Sequence, residues 1–476
     1  MEEQQAPEAP PAAPAKGRGM WIGVVVVAIV IVILLAAVFG GLLGTPPATE
    51  KDKVLKIGTV LSLTGTSGLE VYGPKNQRGA MLAVSEINAA GGVLGNNITV
   101  VNEDDTGVSS VAHDRAQKLV TSDKVDAIIG AVGSGFCQEV LSVAKPNGVV
   151  QISASCTSPV FSNLTYTGGW FFRTAPSDAL QGVVAANYSY FDRGFRTMGV
   201  IGNDNAYGRG LANVFASKFQ AYGGTSTVSI FALAQTSYNS ELTALITGTP
   251  GIQAIYMAEY PTDGLRVMQD WYANPAWSGI SWVFSEGLLD QTGFVDRLYA
   301  NGIDANASGF QGSAPGAYLG VVGPLYNDFL TRYKAAYSNQ DPGLFTSNAY
   351  DAVYLLAAAA EKAGEATAQG IKDNIRLVAG PPGMAFHGGQ WAAMRAAIDA
   401  GTDIDYGGAS GAVNLDTYGD PLSGYGIWGV NSTGKIVTLK TYDENTVIDM
   451  TRAPPQPVGT RSSMDVDWSA VVRSER

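Results

Sequence analysis

The sequence contains few of the residues that carry metal or enzyme chemistry. Among 476 residues there are only two histidines, His113 and His387, and two cysteines, Cys137 and Cys156, and none has metal-ligand spacing. No HExxH or CxxC motif occurs, and the P-loop pattern GxxxxGKS/T and the nucleophile-elbow pattern GxSxG are absent. These absences predict a protein that is not an enzyme and that holds no metal or other cofactor.

Charged residues are also scarce, at 15% of the chain, and their formal sum is −12. No cluster of lysines and arginines occurs, which excludes nucleic acid as an expected partner because phosphate binding needs such clusters. The remainder is 46% hydrophobic and contains 58 glycines and 22 prolines, a composition typical of a folded chain with many turns. Its length exceeds what one hydrophobic core usually serves, so we expect two domains.

A long uncharged apolar run extends from Met20 to Leu43 and could cross a membrane as a helix. The alternative is a cleaved secretory signal, but such signals have a shorter apolar stretch and a small-residue cleavage site that the following GGLLGTPPATE does not clearly offer. No cysteine follows for lipid attachment. We therefore expect a single-pass anchor at 20–43 after a cytoplasmic tail at 1–19, whose Lys16 and Arg18 favour this orientation.

This topology predicts that the rest of the chain lies outside the cytoplasm, after a polar linker at 45–53. Asn-x-Ser/Thr sequons are compatible with export, although chance alone would supply several. They occur at Asn97, Asn163, Asn187, Asn306 and Asn431. A tail from Ala453 to Arg476 has the composition of an appended, partly disordered segment.

From Val54 onward, strand-length apolar runs alternate with segments of helical periodicity, which predicts an α/β fold with parallel sheets buried on both faces. The predicted strands are 54–62, 97–102, 127–132, 149–154, 197–203, 226–233, 252–258 and 280–285, with a final pair in GYGIWGV and KIVTLK. The predicted helices are 75–89, 109–122, 206–222, 317–337, 345–363 and 369–379.

In such sheets a ligand binds beyond the carboxyl ends of the strands. Gly133-Ser134-Gly135 lies between a predicted strand and a helix, where free N–H groups and the helix dipole favour an anion such as a carboxylate. The alternative is that Ser134 only caps the helix and the glycines only turn the chain. Ser155-Cys156-Thr157 follows the neighbouring strand and would either face the same space or form an ordinary polar turn.

Acids and tyrosines follow other strands. Glu286 would receive a ligand ammonium in a water-poor cleft, or else is simply an acid at the start of a helix. Tyr72 and Tyr207 have the flat faces and polar tips that suit closure over a small ligand, although tyrosines are also common in loops. Cys137 and Cys156 fall on adjacent connections, which favours a disulfide in an exported protein over two buried thiols.

Taken together, these segments resemble the type I periplasmic binding protein superfamily, in particular the leucine/isoleucine/valine-binding branch that serves ABC importers. The resemblance covers most of 54–440 and rests on the order and spacing of many stretches. They include KIGTVLSLTG, YGPKNQRGAMLAVSEINAAGG, ITVVNEDDTG, DAIIGAVGS, VVQISASCTSP, FFRTAPSD, GVIGNDNAYGRG, SWVFSEG and AVNLDTYGD.

The resemblance implies two Rossmann-like lobes joined by a three-strand hinge. Lobe 1 would comprise 54–175 with 312–420, and lobe 2 would comprise 176–311 with 421–450. It further implies that the ligand carboxylate is bound by Ser134 and Thr157 with the backbone of Ser155 and Cys156, that Glu286 holds the α-ammonium, and that Tyr72 and Tyr207 close the pocket.

Two departures from the family pattern bear on specificity. The loop TGTSGLEVYG is longer than usual, and Glu259 stands where an aromatic residue is often found, so it would accommodate a polar or basic ligand side chain. The expected function is capture of a branched-chain or related amino acid by a monomer that delivers it to an ABC permease and ATPase. The alternatives are an amide, urea or aromatic-acid binder of the same fold, and the ectodomain of a ligand-sensing receptor.

Overall fold

The computed structural model describes residues 53–315 and 323–452. Within these two ranges, no helix is both long enough and apolar enough to cross a membrane. The predicted anchor at 20–43 and the predicted tail from Ala453 lie outside the described residues.

Lobe 1 is built on a parallel sheet of five strands in the order β2-β1-β3-β4-β5. The strands are β1 (Lys56–Leu61), β2 (Thr99–Asp104), β3 (Ala127–Gly130), β4 (Val150–Ser153) and β5 (Phe171–Arg173). The helices between them are Gly73–Ala89, Ser109–Lys118, Ser134–Ala144 and Leu164–Thr167. In the first helix, Ala80, Ala83, Val84 and Ile87 are all buried, as their spacing on one helical face predicts.

Lobe 2 is built on a sheet of seven strands in the order β15-β14-β10-β9-β8-β6-β7. The strands are β6 (Thr197–Asn203), β7 (Thr225–Phe231), β8 (Ala254–Ala258), β9 (Ser281–Phe284), β10 (Gln311–Pro315), β14 (Tyr425–Val430) and β15 (Ile436–Tyr442). β6 to β10 are parallel, and β14 and β15 join antiparallel. The helices are Asp178–Asn187, Ala206–Ala221, Asn239–Thr247, Pro261–Tyr272, Asp296–Ala300 and Glu444–Thr451.

The segment after the second lobe's parallel strands returns to lobe 1 and covers one face of its sheet. It contains the helices Pro324–Ala336, Thr346–Ala363, Ala368–Val378 and Trp391–Asp399 and a small sheet of β11 (Met384–His387), β12 (Ile404–Gly408) and β13 (Gly411–Ala412). Helix Thr346–Ala363 is buried from residue 346 to 361 and packs against helix Gly73–Ala89. Its alanine-rich sequence allows this close approach because alanine has the smallest apolar side chain.

The chain passes between the two sheets three times, after β5, after β10 and after β13. β10 pairs with β9 and β14, so it lies within the sheet of lobe 2. The boundary that the sequence analysis places between residues 311 and 312 therefore falls inside this strand.

Each predicted strand overlaps an observed one, but the expectation that both faces are buried is wrong for β2 and β7. Both strands lie at sheet edges and are partly exposed along most of their length. β5, β10 and the small third sheet were not predicted from the sequence. β5 has only three residues, and an apolar run of that length does not stand out from a loop.

Candidate functional site

A small cavity lies between the lobes, beyond the carboxyl ends of the strands of both sheets. It is lined by Leu69, Tyr72, Val132, Gly133, Ser134, Ser155, Tyr207, Tyr260, Glu286, Gly287, Leu344 and Phe345. Its volume is about 20 Å³, which is room for roughly one water molecule. A molecule the size of an amino acid would fit only after the lining residues of the two lobes move apart.

The lobe 1 side of the cavity presents hydroxyl groups and a helix N-terminus. Ser134 begins the helix Ser134–Ala144, and its buried hydroxyl accepts a hydrogen bond from the Ser158 N–H at 3.2 Å. The Ser155 hydroxyl donates to the Val132 carbonyl at 2.9 Å. The free N–H groups of the first helical turn make this side favourable for an anion.

Thr157 and Cys156, two of the predicted carboxylate-binding residues, do not line the cavity. The N–H groups of Ser155 and Cys156 donate to the Ser153 hydroxyl, at 3.2 and 2.9 Å, instead of facing the cavity. The Thr157 hydroxyl is buried. It lies next to Asp178, whose N–H donates to the Thr157 carbonyl at 2.8 Å.

The lobe 2 side of the cavity presents a buried carboxyl group. Glu286 is only 2% exposed and accepts hydrogen bonds from the Gln181 amide and from the Tyr207 hydroxyl, the latter at 3.0 Å. Burial raises the pKa of Glu286 to about 7, and the hydrogen bond from Gln181 opposes that rise. The charged form of a buried carboxyl group is stabilised most by a cationic partner, because that partner replaces the hydration lost on burial.

A second acid, Asp178, lies close enough to Glu286 for the two charges to repel, and the sequence analysis missed it. Its side chain is fully buried. Burial first, and then the charge of Glu286, raise the pKa of Asp178 well above its usual value. A serine that caps a helix can be recognised in the sequence, and Asp178 follows directly after the helix cap Ser177. Asp178 was missed because the short strand β5 before it was not recognised.

Aromatic rings form the walls of the cavity. The rings of Tyr207 and Tyr260 stack with centroids 5.3 Å apart, and the Tyr72 hydroxyl donates across the lobes to the Gly287 carbonyl at 3.0 Å. Tyr260, Leu344 and Phe345 were not predicted. The last two come from the segment that returns to lobe 1, far along the chain from the motifs that follow the strands.

Glu259 does not line the cavity. Its carboxyl group is buried inside lobe 2 near Asp263 and Asn203. Burial, and then the charge of Asp263, raise the pKa of Glu259 well above its usual value. Glu259 therefore belongs to the interior of lobe 2 and not to the cavity wall.

Cys137 and Cys156 form a disulfide, with 2.06 Å between the sulfur atoms and 6.5 Å between the Cα atoms. The bond joins the first turn of helix Ser134–Ala144 to the turn that follows β4. It therefore links the two polar segments on the lobe 1 side of the cavity.

A cavity between two α/β lobes, with hydroxyls on one side and a buried acid on the other, defines a two-lobed small-molecule-binding protein. The chain belongs to the family described as "Periplasmic binding protein", whose sequence profile matches residues 54–400. This match confirms the resemblance to the type I periplasmic binding proteins, and the relatives below confirm the leucine/isoleucine/valine-binding branch.

The chain is 31% identical over 353 residues to the Leu/Ile/Val-binding protein BraC3 of Rhizobium johnstonii, covering 72% of this chain and 89% of that protein. It is 29% identical over 391 residues to BasB of Halobacterium salinarum, the substrate-binding protein of a chemotactic signal transduction system, covering 79% and 87%. Among solved structures, the leucine-binding protein LivK of Thermotoga maritima superposes with a TM-score of 0.67 at 22% identity, covering 82% and 99%.

Proposed function

We propose that this protein captures an α-amino acid with an apolar side chain and serves as the extracytoplasmic substrate-binding component of an ABC importer. The observation that carries the proposal is the opposition of two unlike surfaces across one cavity. Ser134 and the free helix N–H groups lie on the lobe 1 side, and Glu286 lines the lobe 2 side, with the buried Asp178 close to Glu286. An amino acid presents a carboxylate and an ammonium at a fixed separation, which suits this pair of surfaces.

The ligand side chain would lie against apolar walls. Leu69, Val132, Leu344 and Phe345 line the cavity together with the tyrosine rings, and Glu259 is not among the lining residues. This favours a branched-chain or related apolar amino acid over a basic one, because a charged side chain would remain unpaired there. The name of BraC3 points to the same ligand class.

Binding would couple to movement of the lobes about the three crossings. A ligand that contacts both lobes favours the closed state by the contacts that only closure makes. In this proposal Ser134 and Thr157 act from lobe 1, and Asp178, Tyr207 and Glu286 act from lobe 2. The closed monomer would present its surface to a permease, and the apolar run at 20–43 would tether it to the membrane.

Two alternatives remain within the fold. An aromatic-acid, amide or urea binder would use the stacked rings of Tyr207 and Tyr260 but would leave the two buried acids without a cationic partner. A sensory role is suggested by BasB, which belongs to a chemotactic system. It would use the same ligand chemistry with a different membrane partner.

The proposal is tested by thermal unfolding of the purified full-length chain in mild detergent, with each amino acid, urea, benzoate and simple amides added in turn. A ligand that binds only the folded state raises the melting temperature by mass action. We expect isoleucine, leucine or valine to give the largest shift. A shift with benzoate or urea and none with any amino acid would replace the proposal with the corresponding alternative.

A further inference from the structure

Arg173, the last residue of β5, has a side chain with no exposed surface. All five of its guanidinium N–H groups have an acceptor. They donate to the two carboxylate oxygens of Asp420 at 2.6 and 2.7 Å, to the Ser162 hydroxyl at 2.8 Å, and to the carbonyls of Cys156 and Ser158 at 3.0 Å each. A complete set of this kind holds the guanidinium in one orientation.

The ion pair of Arg173 joins two of the crossings between the lobes. Arg173 ends the last strand before the first crossing, and Asp420 lies in the third crossing, before β14. The backbone N–H of Arg173 also donates to the Gly419 carbonyl at 3.0 Å. Movement of either crossing is therefore transmitted to the guanidinium.

The two carbonyls held by Arg173 flank Thr157. In a planar trans peptide the C=O and N–H groups point in opposite directions, so the N–H of Thr157 points away from Arg173 when the Cys156 carbonyl points toward it. This N–H has no hydrogen-bond acceptor within the described ranges. The next N–H along the chain, that of Ser158, donates to Ser134, which shows that this turn also meets the cavity wall.

We propose that Arg173 is a positioning residue that aims the Thr157 N–H at the ligand carboxylate and thereby sets the preference for an acid over its neutral amide. The inference rests on the proposed function. Arg173 does not line the cavity, so in this proposal it has no direct contact with the ligand. It acts by fixing the peptide that does, because a backbone N–H binds a charged carboxylate more strongly than a neutral amide oxygen.

Lysine cannot take this role. Its ammonium is a single point charge that can remain paired with Asp420, but it lacks the planar fork that spans a carboxylate and two carbonyls at once. Arg173→Lys therefore keeps the buried charge and releases the peptide. A control is Arg332→Lys, because Arg332 is a second ion-paired arginine of lobe 1, is partly buried, pairs with Glu86 and Asp328, and does not line the cavity.

The experiment is titration calorimetry of the full-length protein with L-isoleucine and with L-isoleucinamide, which keeps the ammonium and the side chain but lacks the carboxylate. We expect wild type and Arg332→Lys to prefer isoleucine by the same factor. In Arg173→Lys we expect the ratio of the affinity for isoleucine to that for isoleucinamide to fall by about tenfold, because one charge-assisted hydrogen bond to the carboxylate is lost. Asp420→Asn weakens the hold on the same guanidinium and should reduce this ratio by less than Arg173→Lys does. It replaces Arg173→Lys in the experiment if that variant does not fold.

A merely structural role would weaken both ligands equally. An unchanged ratio of the two affinities in both folded variants, with or without a loss of affinity, would overturn the inference. If wild type binds neither compound, the proposed function itself is contradicted and the inference falls with it. The ratio therefore separates the failure of the inference from the failure of the proposed function.

Discussion

Lys75 and Asp290 form an ion pair between the lobes, with 2.5 Å between Nζ and Oδ2. Lys75 lies on helix Gly73–Ala89 of lobe 1, and Asp290 follows β9 in lobe 2. The lysine side chain is 27% exposed and the aspartate 5%, so the pair is partly shielded from water. The ion pair is available only while the lobes are together, and it therefore stabilises the closed state.

Lys75→Met should lower the affinity for isoleucine by about threefold, since a partly exposed ion pair contributes roughly 0.5–1 kcal/mol. Titration calorimetry at low and high salt measures the effect, which should shrink at high salt. The control is Lys118→Met, which removes an ion-paired lysine within lobe 1. Equal affinities for Lys75→Met and wild type at low salt would show that the pair has no role in closure.

Gly210 provides a test of closure that does not touch the ligand. It lies within helix Ala206–Ala221, and a Cβ at this position would come 2.8 Å from the Pro159 ring and 3.1 Å from the Ser158 hydroxyl of lobe 1. Gly210→Ala should keep or raise the stability of the ligand-free protein by up to about 1 kcal/mol, because alanine favours helix. It should nevertheless weaken isoleucine binding several-fold, because the lobes meet here only when closed.

Thermal unfolding and calorimetry together check this prediction. Gly279→Ala is the control, because no atom lies within 4 Å of a Cβ added there. Undiminished isoleucine affinity in Gly210→Ala would contradict closure at this contact.

The affinity for isoleucine should depend on pH between 8 and 6. The pKa of Glu286 is raised to about 7 and that of Asp178 is raised as well, chiefly by burial. A carboxyl group binds the ligand ammonium only when it is deprotonated. Below pH 7 Glu286 must therefore release a proton before the ammonium binds. Affinity should fall as the pH decreases, by up to about tenfold per unit for each group that must ionise.

Calorimetry in buffers of different ionisation enthalpy measures the released proton directly. Glu286→Gln should flatten the profile. An affinity that is constant from pH 8 to 6 in wild type would show that the acids do not meet the ammonium.

The disulfide should matter for both stability and binding. A crosslink between residues 19 apart, Cys137 and Cys156, is worth about 3 kcal/mol by loop-closure entropy. Cys137→Ala with Cys156→Ala should lower the melting temperature and weaken isoleucine binding, because the bond links the two polar segments of lobe 1. Alkylation followed by mass measurement, with and without reductant, verifies the bond, and two alkylated cysteines in the unreduced native protein would disprove it.

The sequence was informative where long apolar runs alternate with amphipathic helices. β6 and helix Thr346–Ala363 are predicted to within one residue at either end, because nearly every position in them is buried and the pattern is continuous. β5 was missed because it has only three residues, and β10 was missed because its sequence, QGSAP, is not an apolar run and it pairs with β14, far away in the chain.

The same limits apply to the site. Ser134, Ser155, Tyr72, Tyr207 and Glu286 follow recognisable strands, and the structure brings them to one cavity. Asp178 was missed together with β5. The position of Glu259 after β8 is correctly read, but the direction of its side chain depends on packing against Asp263 inside lobe 2, which no local pattern reveals.

The most direct test of the account is titration calorimetry of isoleucine against wild type, Glu286→Gln and Glu259→Gln at pH 8. Both variants replace a buried acid of lobe 2 by its neutral isostere, but only Glu286 lines the cavity. We predict a loss of about 2 kcal/mol or more for Glu286→Gln, the scale for removing the partner of a desolvated charge. Glu259→Gln should bind as wild type does. Unchanged affinity in Glu286→Gln would contradict the proposed ammonium site, and with it the central claim.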